Sequence, residues 1–477
     1  MSKRVLSLIM VFAMCFSLLP AAVWADTTEI TAEETQNVED TDDALSVDED
    51  TVDVLSVGED AALQSGEDGG VAVQASEHAD HALCLHTDTC SCPDDAKENA
   101  FTDAKPLTWR PTENDGAEIN YLYIGGEKAE FTYGSNFWSF ELPEGNYYLA
   151  ENLTLPNAIR IKKNATVNLC LNGYSITKTT DDNSGHESVI TIDEGGTLSL
   201  CDCKNSGKIT HESGKFGRGV DIGVSSGGAN FNMFGGAISG NHAGTSKQGQ
   251  DGAGVYMASS TFNMYDGKIT DNHVEVKFNN GGGGICVERG TFTMSGGEIS
   301  GNTSPYRGGG VYMTYGGTFN MSGGTVTGNT ATYNGGGVCV QNGSFNLEGG
   351  TISDNTATDG TDGTGGGVYY YNYSASSRSM TVSKSAKIEK NKAVNGGGIY
   401  VDEKGALTMS GGTVSGNTAT ANGGGVDVNE NCTFEMSGGS ITGNSAANNG
   451  AGVEMIGSMI VSGNVQIKDN WQNGTLD

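Results

Sequence analysis

The 477-residue sequence has very little proline and few basic residues. Only 7 prolines accompany 73 glycines, which excludes a collagen, because a collagen needs abundant proline and a glycine at every third position. Apolar residues make up 36% and charged residues 18%, which excludes a coiled coil rich in Leu, Glu and Lys. The 26 Lys and Arg residues against 58 Asp and Glu residues give a net charge of −32. Such a chain repels phosphate backbones, so we expect no nucleic-acid partner.

Glycine and negative charge occupy different parts of the chain. Four glycines precede Gly116, and the other 69 (73 − 4) lie from Gly116 onward. Residues 26–98 hold 22 acidic residues against a single base, Lys97. Since residues 26–75 combine this charge with few aromatic side chains, they are predicted to be an acidic disordered spacer.

The first residues have the pattern of an export signal. A basic start precedes an apolar run over residues 5–19, which is too short to span a bilayer comfortably. Val23 and Ala25 occupy the small-residue positions of a cleavage site, so residues 1–25 are predicted to be a signal peptide cut after Ala25. A retained membrane anchor is the alternative. No second hydrophobic span follows, and we expect a secreted, extracellular protein.

From about Glu144 onward the chain repeats itself. One unit begins at Gly308 and has the sequence GGGVYMTYGGTFNMSGGTVTGNTATYN. A Val or Ile follows the glycines of each unit, and the interval from Val311 to Val338 is 27 residues (338 − 311). This column comprises Val220, Val255, Ile285, Val311, Val338, Val368, Ile399, Val426 and Val453.

Each unit contains three short stretches of alternating apolar and polar residues, separated by glycine pairs. Alternation with a period of two in such short stretches predicts strands, and the glycines predict turns. Equivalent strands repeated in register predict a coil whose successive turns stack about 4.8 Å apart as parallel strands. The predicted fold class is all-β, a parallel β-helix of about eleven coils over residues 144–477 with three short strands per coil.

An asparagine column accompanies the third strand of each unit, in contexts such as SGNT and TDNH. Asparagine tolerates left-handed turn conformations and can hydrogen-bond its counterpart in the next coil, so a structural role is predicted. The column comprises Asn241, Asn272, Asn302, Asn329, Asn355, Asn391, Asn417, Asn444 and Asn470.

The unit at Gly308, together with GGAISGN at residues 235–241, resembles the right-handed parallel β-helix repeat proteins of bacterial surfaces. It is also similar to the repeats of polymorphic outer-membrane proteins and related autotransporter passengers. The resemblance covers residues 142–477 and implies a right-handed coil. It also implies adhesion or surface display or, in the pectate-lyase-like branch with the pectin lyase fold, cleavage of polysaccharide.

We make different predictions for the two ends of the repeat array, a cap at the first and a truncation at the last. Residues 99–143 contain Trp109, Trp138 and Phe140 and are predicted to cap the N-terminal end, because an open end would expose strand edges. After Asn470 the sequence stops without a polar cap, from which we expect a truncated product whose missing C-terminal region could hold a cell-surface anchor.

Histidine and cysteine concentrate in residues 76–98, before the repeats. Such a group can bind Zn²⁺, although in an exported protein a disulfide from Cys84 to Cys90 or Cys92 is the plainer interpretation. The candidate ligands are His78, His81, Cys84, His86, Cys90 and Cys92.

Two other groups of polar residues bear on cofactors and cross-links. Oxygen-rich loops could bind Ca²⁺ but are more simply solvated turns; they contain Asp181, Asp182, His186 and Glu187 in one case and Asp354, Asp359 and Asp362 in the other. Cys170 and Cys201 occupy equivalent places in adjacent coils, a separation that permits a disulfide. We expect no other cofactor.

One outward column of the first strand is rich in tyrosine. Exposed aromatic rings can stack on sugars or anchor a protein partner, while tyrosine also simply suits strands. The candidate binding residues are Tyr256, Tyr312, Tyr369 and Tyr400.

The regular coils and the scarcity of converging carboxylates favour a non-catalytic, adhesin-like protein of the cell surface or medium. Its predicted partner is carbohydrate or a host or matrix protein. The alternative is a polysaccharide lyase or hydrolase on the same scaffold, which would need clustered carboxylates on one face. No catalytic residue is assigned.

Overall fold

The computed structural model describes residues 103–114, 117–134, 137–181, 188–223, 227–244, 251–275, 281–373 and 378–476. These residues form strands and turns, and the chain winds into a right-handed parallel β-helix of about eleven turns. The predicted fold class is confirmed. No helix able to cross a membrane is found among the described residues.

One side of the β-helix is a parallel sheet, called here the first sheet, that begins with an antiparallel pair. From Ile285 to Val426, each strand of this sheet begins at the Val or Ile that follows a glycine run. The strands of the sheet are Glu130–Gly134, Phe137–Leu142, Ala158–Ile161, Ser188–Ile192, Arg218–Ile222, Val255–Ala258, Ile285–Glu288, Val311–Thr314, Val338–Gln341, Val368–Asn372, Ile399–Glu403, Val426–Val428 and Val453–Met455.

Two further ladders share a second sheet. The second ladder consists of Gly145–Leu149, Thr166–Cys170, Thr197–Cys201, Asn230–Met233, Thr261–Met264, Thr291–Met294, Thr318–Met321, Ser344–Leu347 and Met380–Val382. The third ladder consists of Leu153–Leu155, Ile176–Lys178, Lys208–His211, Ala237–Ser239, Lys268–Thr270, Glu298–Ser300, Thr325–Thr327, Thr351–Ser353 and Lys387–Glu389. In the last coils, single long strands run through both positions: Ala406–Ser415, Thr433–Thr442 and Ser458–Lys468.

The structure adds a fourth ladder that the sequence pattern did not predict. Its two-residue strands follow the asparagine column and are too short to show alternation. They are His242–Ala243, His273–Val274, Thr303–Ser304, Thr330–Ala331, Thr356–Ala357, Lys392–Ala393, Thr418–Ala419, Ser445–Ala446 and Trp471–Gln472, which pairs with Thr475–Leu476.

The predicted apolar columns form the core. Every residue of the valine and isoleucine column from Val220 to Val426 is fully buried. In the second ladder five phenylalanines stack face to face with ring centroids 4.6 to 5.0 Å apart; they are Phe231, Phe262, Phe292, Phe319 and Phe345. The spacing equals that of neighbouring strands, so in-register stacking of identical units is what builds the interior.

The asparagine column is a continuous hydrogen-bonded ladder inside the coil. In the repeating pattern, the Nδ2 of Asn329 donates to the carbonyl of Ile299 at 2.9 Å and to Oδ1 of Asn355 at 3.0 Å. Its Oδ1 accepts from the backbone N–H and Nδ2 of Asn302 at 3.0 and 2.9 Å. Asparagine supplies both the donor and the acceptor that each coil needs, which explains why no other residue type replaces it from Asn241 to Asn470.

The glycine runs make room for this column. A Cβ at Gly310 would lie 2.7 Å from the carbonyl oxygen of Gly337 and 3.0 Å from Nδ2 of Asn329. Gly308 has a φ of 58°, which favours glycine. The glycine excess therefore reflects close backbone approach between coils.

Residues expected to form the N-terminal cap contain an antiparallel hairpin, Lys105–Asn114 with Ala117–Ile124, followed by Glu127–Lys128. The start of this hairpin pairs with Gly145–Leu149 in parallel. Leu107 and Leu122 join the same core as the coils, so the hairpin covers their first edge.

Candidate functional site

The outer face of the first sheet gathers most of the varied side chains of the coils. One outward column runs in register through the sheet. It comprises Glu141, Arg160, Thr191, Asp221, Tyr256, Cys286, Tyr312, Cys339, Tyr369, Tyr400, Asp427 and Glu454. Inside the coil the equivalent positions are mostly apolar, as in Ile222, Met257 and Val287, whereas the outward column mixes charged, aromatic and thiol side chains.

The four predicted tyrosines lie in this column, but they do not form an open aromatic strip. Tyr312 is 4% exposed and Tyr369 is 7% exposed, while Tyr256 and Tyr400 are half-buried. The expectation of exposed ring faces is wrong for Tyr312 and Tyr369, because neighbouring coils cover them. The backbone at Gly281, for example, lies so close that a Cβ there would be 2.8 Å from Cγ of Tyr312.

Each of these tyrosine hydroxyls is held by a polar side chain of a following coil. Tyr256 donates to Glu288 at 2.6 Å, and Tyr369 donates to Asp402 at 2.7 Å. Tyr312 donates to Gln341 at 2.5 Å. Burial raises the pKa of all three phenols, so the hydroxyls remain protonated donors. The column thus ties coils together.

All five arginines of the repeat region lie on or beside this face, although the chain is strongly acidic overall; they are Arg160, Arg218, Arg289, Arg307 and Arg378. Arg218 is buried, pairs with Asp221 at 2.8 Å and lies 3.9 Å from the ring centroid of Tyr256. Arg160 pairs with Asp193 at 2.6 Å. These two arginines are neutralised locally by carboxylates.

The other three arginines lie among tyrosines in the middle coils. Arg307 stands 4.6 Å from the ring centroid of Tyr306 and donates to the hydroxyl of Tyr371 at 3.0 Å. Its Nε is buried and has no hydrogen-bond partner among the described residues. Arg289 lies 5.0 Å from the ring centroid of Tyr315.

Four further tyrosines lie at the two edges of the first sheet, and two of them are exposed. At one edge Tyr306 and Tyr333 are half-buried and meet edge to face at 5.5 Å. At the other edge Tyr315 is 62% exposed and Tyr373 is 52% exposed. The hydroxyls of Tyr371 and Tyr373, 3.3 Å apart, connect the two edges through Arg307.

We call this surface the tyrosine–arginine patch; it consists of Arg289, Tyr306, Arg307, Tyr315, Tyr333, Tyr373 and Arg378. Sequence reasoning missed most of it because the alternation of strands directs attention to strand residues. The available signal was a tyrosine next to a glycine run, as in YRGGG at residues 306–310 and TYGG at residues 314–317.

An acidic group lies in the last coils of the same face. Asp427 lies in register between Tyr400 and Glu454. Burial, with the nearby carboxylates of Glu454 and Asp402, raises the pKa of Asp427 to about 7. A carboxyl group with such a pKa can donate a proton near neutral pH.

A histidine group lies where the third ladder meets the fourth. Nδ1 of His211 lies 2.9 Å from Oδ1 of Asn241, so His211 begins the asparagine column. Burial lowers the pKa of His211 to about 4, and the ring is therefore neutral. A groove of about 560 Å³ beside it is lined by residues that include His242, Glu275 and Phe216.

In the part of the chain that the structure describes, no three His, Cys, Asp or Glu side chains converge on one point to form a metal site. The Zn²⁺ candidates from His78 to Cys92 lie outside the described residues, as do Asp182, His186 and Glu187. Asp359 uses Oδ1 to accept the backbone N–H groups of Thr361 and Asp362 at 2.9 and 3.0 Å, as a turn residue does.

The predicted pair Cys170 and Cys201 are register neighbours in the second ladder. All described cysteines are free thiols. Sγ of Cys170 lies 3.5 Å from Sγ of Cys203, and Cys201 also contacts the Cys170 side chain.

Comparison with known proteins gives no name for this arrangement: no family model, no curated protein and no solved structure matches the chain. The fold is therefore assigned from the strand pairing of the described residues, and a function is inferred from the side chains on its surface.

Proposed function

We propose that this protein is a non-catalytic, adhesin-like β-helix that binds carbohydrate through the tyrosine–arginine patch. The observation that carries the proposal is the exposure of Tyr315 and Tyr373 beside arginines in an otherwise acidic chain. Aromatic rings stack on sugar rings, and guanidinium groups bind carboxylate or sulfate in a planar, bidentate way.

The rigidity of the scaffold supports this role. Tyr315 and Asn342 occupy equivalent turns of consecutive coils, and the backbone N–H of Tyr373 in the next coil donates to Asn342 at 2.7 Å. The rings therefore stand on turns whose spacing the coil fixes. Side chains fixed in this way lose little conformational entropy on binding an extended polymer.

The charge of the patch favours acidic over neutral glycans. Arg289 is 58% exposed, and its ion-pair partner among the described residues is its neighbour Glu288, at 3.2 Å. An anionic group on the ligand would supply acceptors that the protein itself leaves incomplete.

A binding assay with immobilised polysaccharides tests the proposal. We expect the full chain to bind polygalacturonate, hyaluronan or heparan sulfate, and the double variant Tyr315→Ala/Tyr373→Ala to bind at least tenfold more weakly, equivalent to about 1.4 kcal/mol. Tyr133→Ala is the matched control, because Tyr133 is 61% exposed in the N-terminal hairpin region. Equal binding by both variants, or binding only to a deglycosylated matrix protein, would contradict the proposal.

Export and surface display belong to the same proposal. Residues 1–25 have the pattern of a signal peptide, and the repeats resemble those of bacterial surface proteins, including the outer-membrane and autotransporter passengers. N-terminal sequencing of the protein recovered from the culture medium or cell surface should begin at Asp26. An intact Met1 in that fraction would refute cleavage.

The alternative, a polysaccharide hydrolase or lyase, is favoured by one observation. Asp427 has a pKa raised to about 7 and lies beside a second carboxylate, Glu454, on the same face. Release of reducing or unsaturated sugar from these polysaccharides, abolished by Asp427→Asn, would establish the enzyme. Binding without any release supports the non-catalytic role.

A further inference from the structure

Three cysteines of neighbouring coils meet on the outer side of the second ladder. Cys170 and Cys201 end the strands Thr166–Cys170 and Thr197–Cys201, and Cys203 follows in the next turn. Cys170 and Cys201 are buried, while Cys203 is partly exposed. This group lies before Asn241, the first residue of the asparagine column, in coils that have no Asn-to-Asn bond of that column.

The turn after Cys201 is fixed so that Cys203 faces back toward the preceding coil. The carboxylate of Asp202 accepts the backbone N–H of Gly173 and of Gly207, each at 2.6 Å. Sγ of Cys203 then lies 3.5 Å from Sγ of Cys170 and 3.6 Å from Oδ1 of Asn172. The Asp202 hydrogen bonds fix the turn, and the contact with Asn172 orients the Cys203 sulfur toward Cys170.

Geometry distinguishes between the two partners available to Cys170. Cys170 and Cys201 are in-register neighbours on parallel strands, so their Cα–Cβ bonds are parallel and their Cβ atoms stay about 4.8 Å apart. A disulfide needs Cβ atoms roughly 3.5 to 4.5 Å apart. Cys203 comes from a turn rather than from the ladder, so its Cβ can approach that of Cys170.

We propose that Cys170 and Cys203 form an inter-coil disulfide under oxidising conditions, leaving Cys201 as a thiol. A low-molecular-weight disulfide such as oxidised glutathione is the oxidant. The more exposed Cys203 thiolate attacks it, forms a mixed disulfide and releases one glutathione thiolate. The Cys170 thiolate then attacks Sγ of Cys203 and releases the second. Two protein thiols lose two electrons and two protons, and one glutathione disulfide becomes two thiols.

The bond would connect successive coils where the asparagine column is absent. It would join residues 33 positions apart in the sequence and hold the turn at Asp202 against Asn172 and Gly173. Closing a loop of this size restricts the unfolded chain. The result would be a redox-dependent tie in the N-terminal coils.

Peptide mapping of the full chain tests the proposal directly. The reduced protein is incubated with oxidised glutathione, unfolded in the presence of iodoacetamide so that buried thiols are alkylated, and digested with trypsin and a protease that cleaves before aspartate. The cut between Cys201 and Asp202 separates the two candidate partners. We expect a peptide of residues 164–178 linked to residues 202–204, which reduction separates, and an alkylated peptide of residues 193–201.

Variants and internal controls complete the test. Cys201→Ser should leave the linked peptide unchanged, and Cys203→Ser should abolish it. Cys286 and Cys339 lie two coils apart and should be recovered unlinked. A link from residues 164–178 to residues 193–201 in the unmodified sequence, or alkylation of all three cysteines after oxidation, overturns the proposal even if the Cys203 variant does not fold.

Discussion

The asparagine column and the outward column of the first sheet run through the same coils. The first keeps one residue type, whereas the second changes from coil to coil. From Asn241 to Asn470 the inner column keeps one residue type, and every member bonds its neighbours with distances of 2.8 to 3.3 Å. The outward column changes from Tyr to Cys to Asp between neighbouring coils. The hydrogen-bond pattern explains the difference, because each asparagine must donate to and accept from identical partners in the neighbouring coils.

The outward column is nevertheless not a free surface. Tyr312 and Tyr369 are covered and hydrogen-bonded, so part of its variation is structural. The side chains that remain open stand at the sheet edges, in the tyrosine–arginine patch. We therefore expect a ligand surface on this coil at the turns beside a sheet, where neighbouring coils do not cover the side chains.

The largest expected effect is on the phenylalanine stack. Phe319 is fully buried and stacks on Phe292 and Phe345 at 4.6 and 4.8 Å. Phe319→Ala should lower the free energy of unfolding by about 4 kcal/mol, measured by denaturant titration. Tyr315→Ala, at a side chain 62% exposed, should change it by less than about 0.5 kcal/mol. Equal losses would remove the distinction between the interior and the edge.

The next effect concerns the asparagine column itself. Asn329→Ala removes the acceptor of two donors on Asn302 and the donor to Ile299. Because the orphaned groups are buried, we expect a loss of about 3 kcal/mol in unfolding free energy. Asn346→Ala is the matched control, since Asn346 is half-buried, donates to Asn320 at 2.8 Å and accepts from Thr381 at 3.2 Å; it should cost under about 1 kcal/mol. Similar values for both variants would show that the inner column has no special energetic weight.

The dependence of the unfolding free energy on pH tests the outward column in the C-terminal coils, where Asp427 lies. The pKa of Asp427 is raised to about 7 in the folded protein, from an ordinary value of 3.8. The folded state therefore binds more protons between these values, and its stability falls as pH rises through this window. Between pH 5 and pH 7 the loss should be about 2 kcal/mol, and it should be absent in Asp427→Asn.

His211 supplies the opposite sign. Its pKa falls to about 4 in the folded protein from 6.5, so its contribution to stability is lost as pH falls from 6.5 toward 4. The unfolding free energy of Asp427→Asn is subtracted from that of the original chain at each pH. The difference contains the contribution of the Asp427 carboxyl, and the contribution of His211 cancels. A difference that rises with pH would contradict the assigned direction.

The smallest effect is predicted for a covered tyrosine hydroxyl. Tyr312→Phe removes the bond of 2.5 Å to Gln341 and should lower the unfolding free energy by about 1 kcal/mol. Tyr315→Phe should have no measurable effect on stability, since that side chain is exposed. If Tyr312→Phe left stability unchanged but weakened glycan binding, the covered column would have to be part of the binding surface.

Much of the coil could be predicted because its determinants are local and repeated. The Val/Ile and Asn columns follow from spacing alone, and the register places each as expected. The fourth ladder was missed because strands such as Thr330–Ala331 are too short to carry a pattern.

The candidate site was less predictable for a physical reason. Alternation tells which side chains point out of the coil, but exposure depends on what the neighbouring coils place over them. Arg307 contacts Tyr371, which is 64 residues away in the sequence. A repeat of 27 residues does not predict a contact over that separation. Cys203 likewise reaches Cys170 only through the turn that Asp202 fixes.

The sequence by itself determined the period, the apolar columns and the asparagine ladder, since a repeated unit buries its face only by stacking on copies of itself. The tertiary structure alone decided which tyrosines are covered, where the arginines gather and which cysteines meet. These depend on side chains from different coils and from turns, whose mutual positions follow from the stacked coil and not from the spacing within one unit.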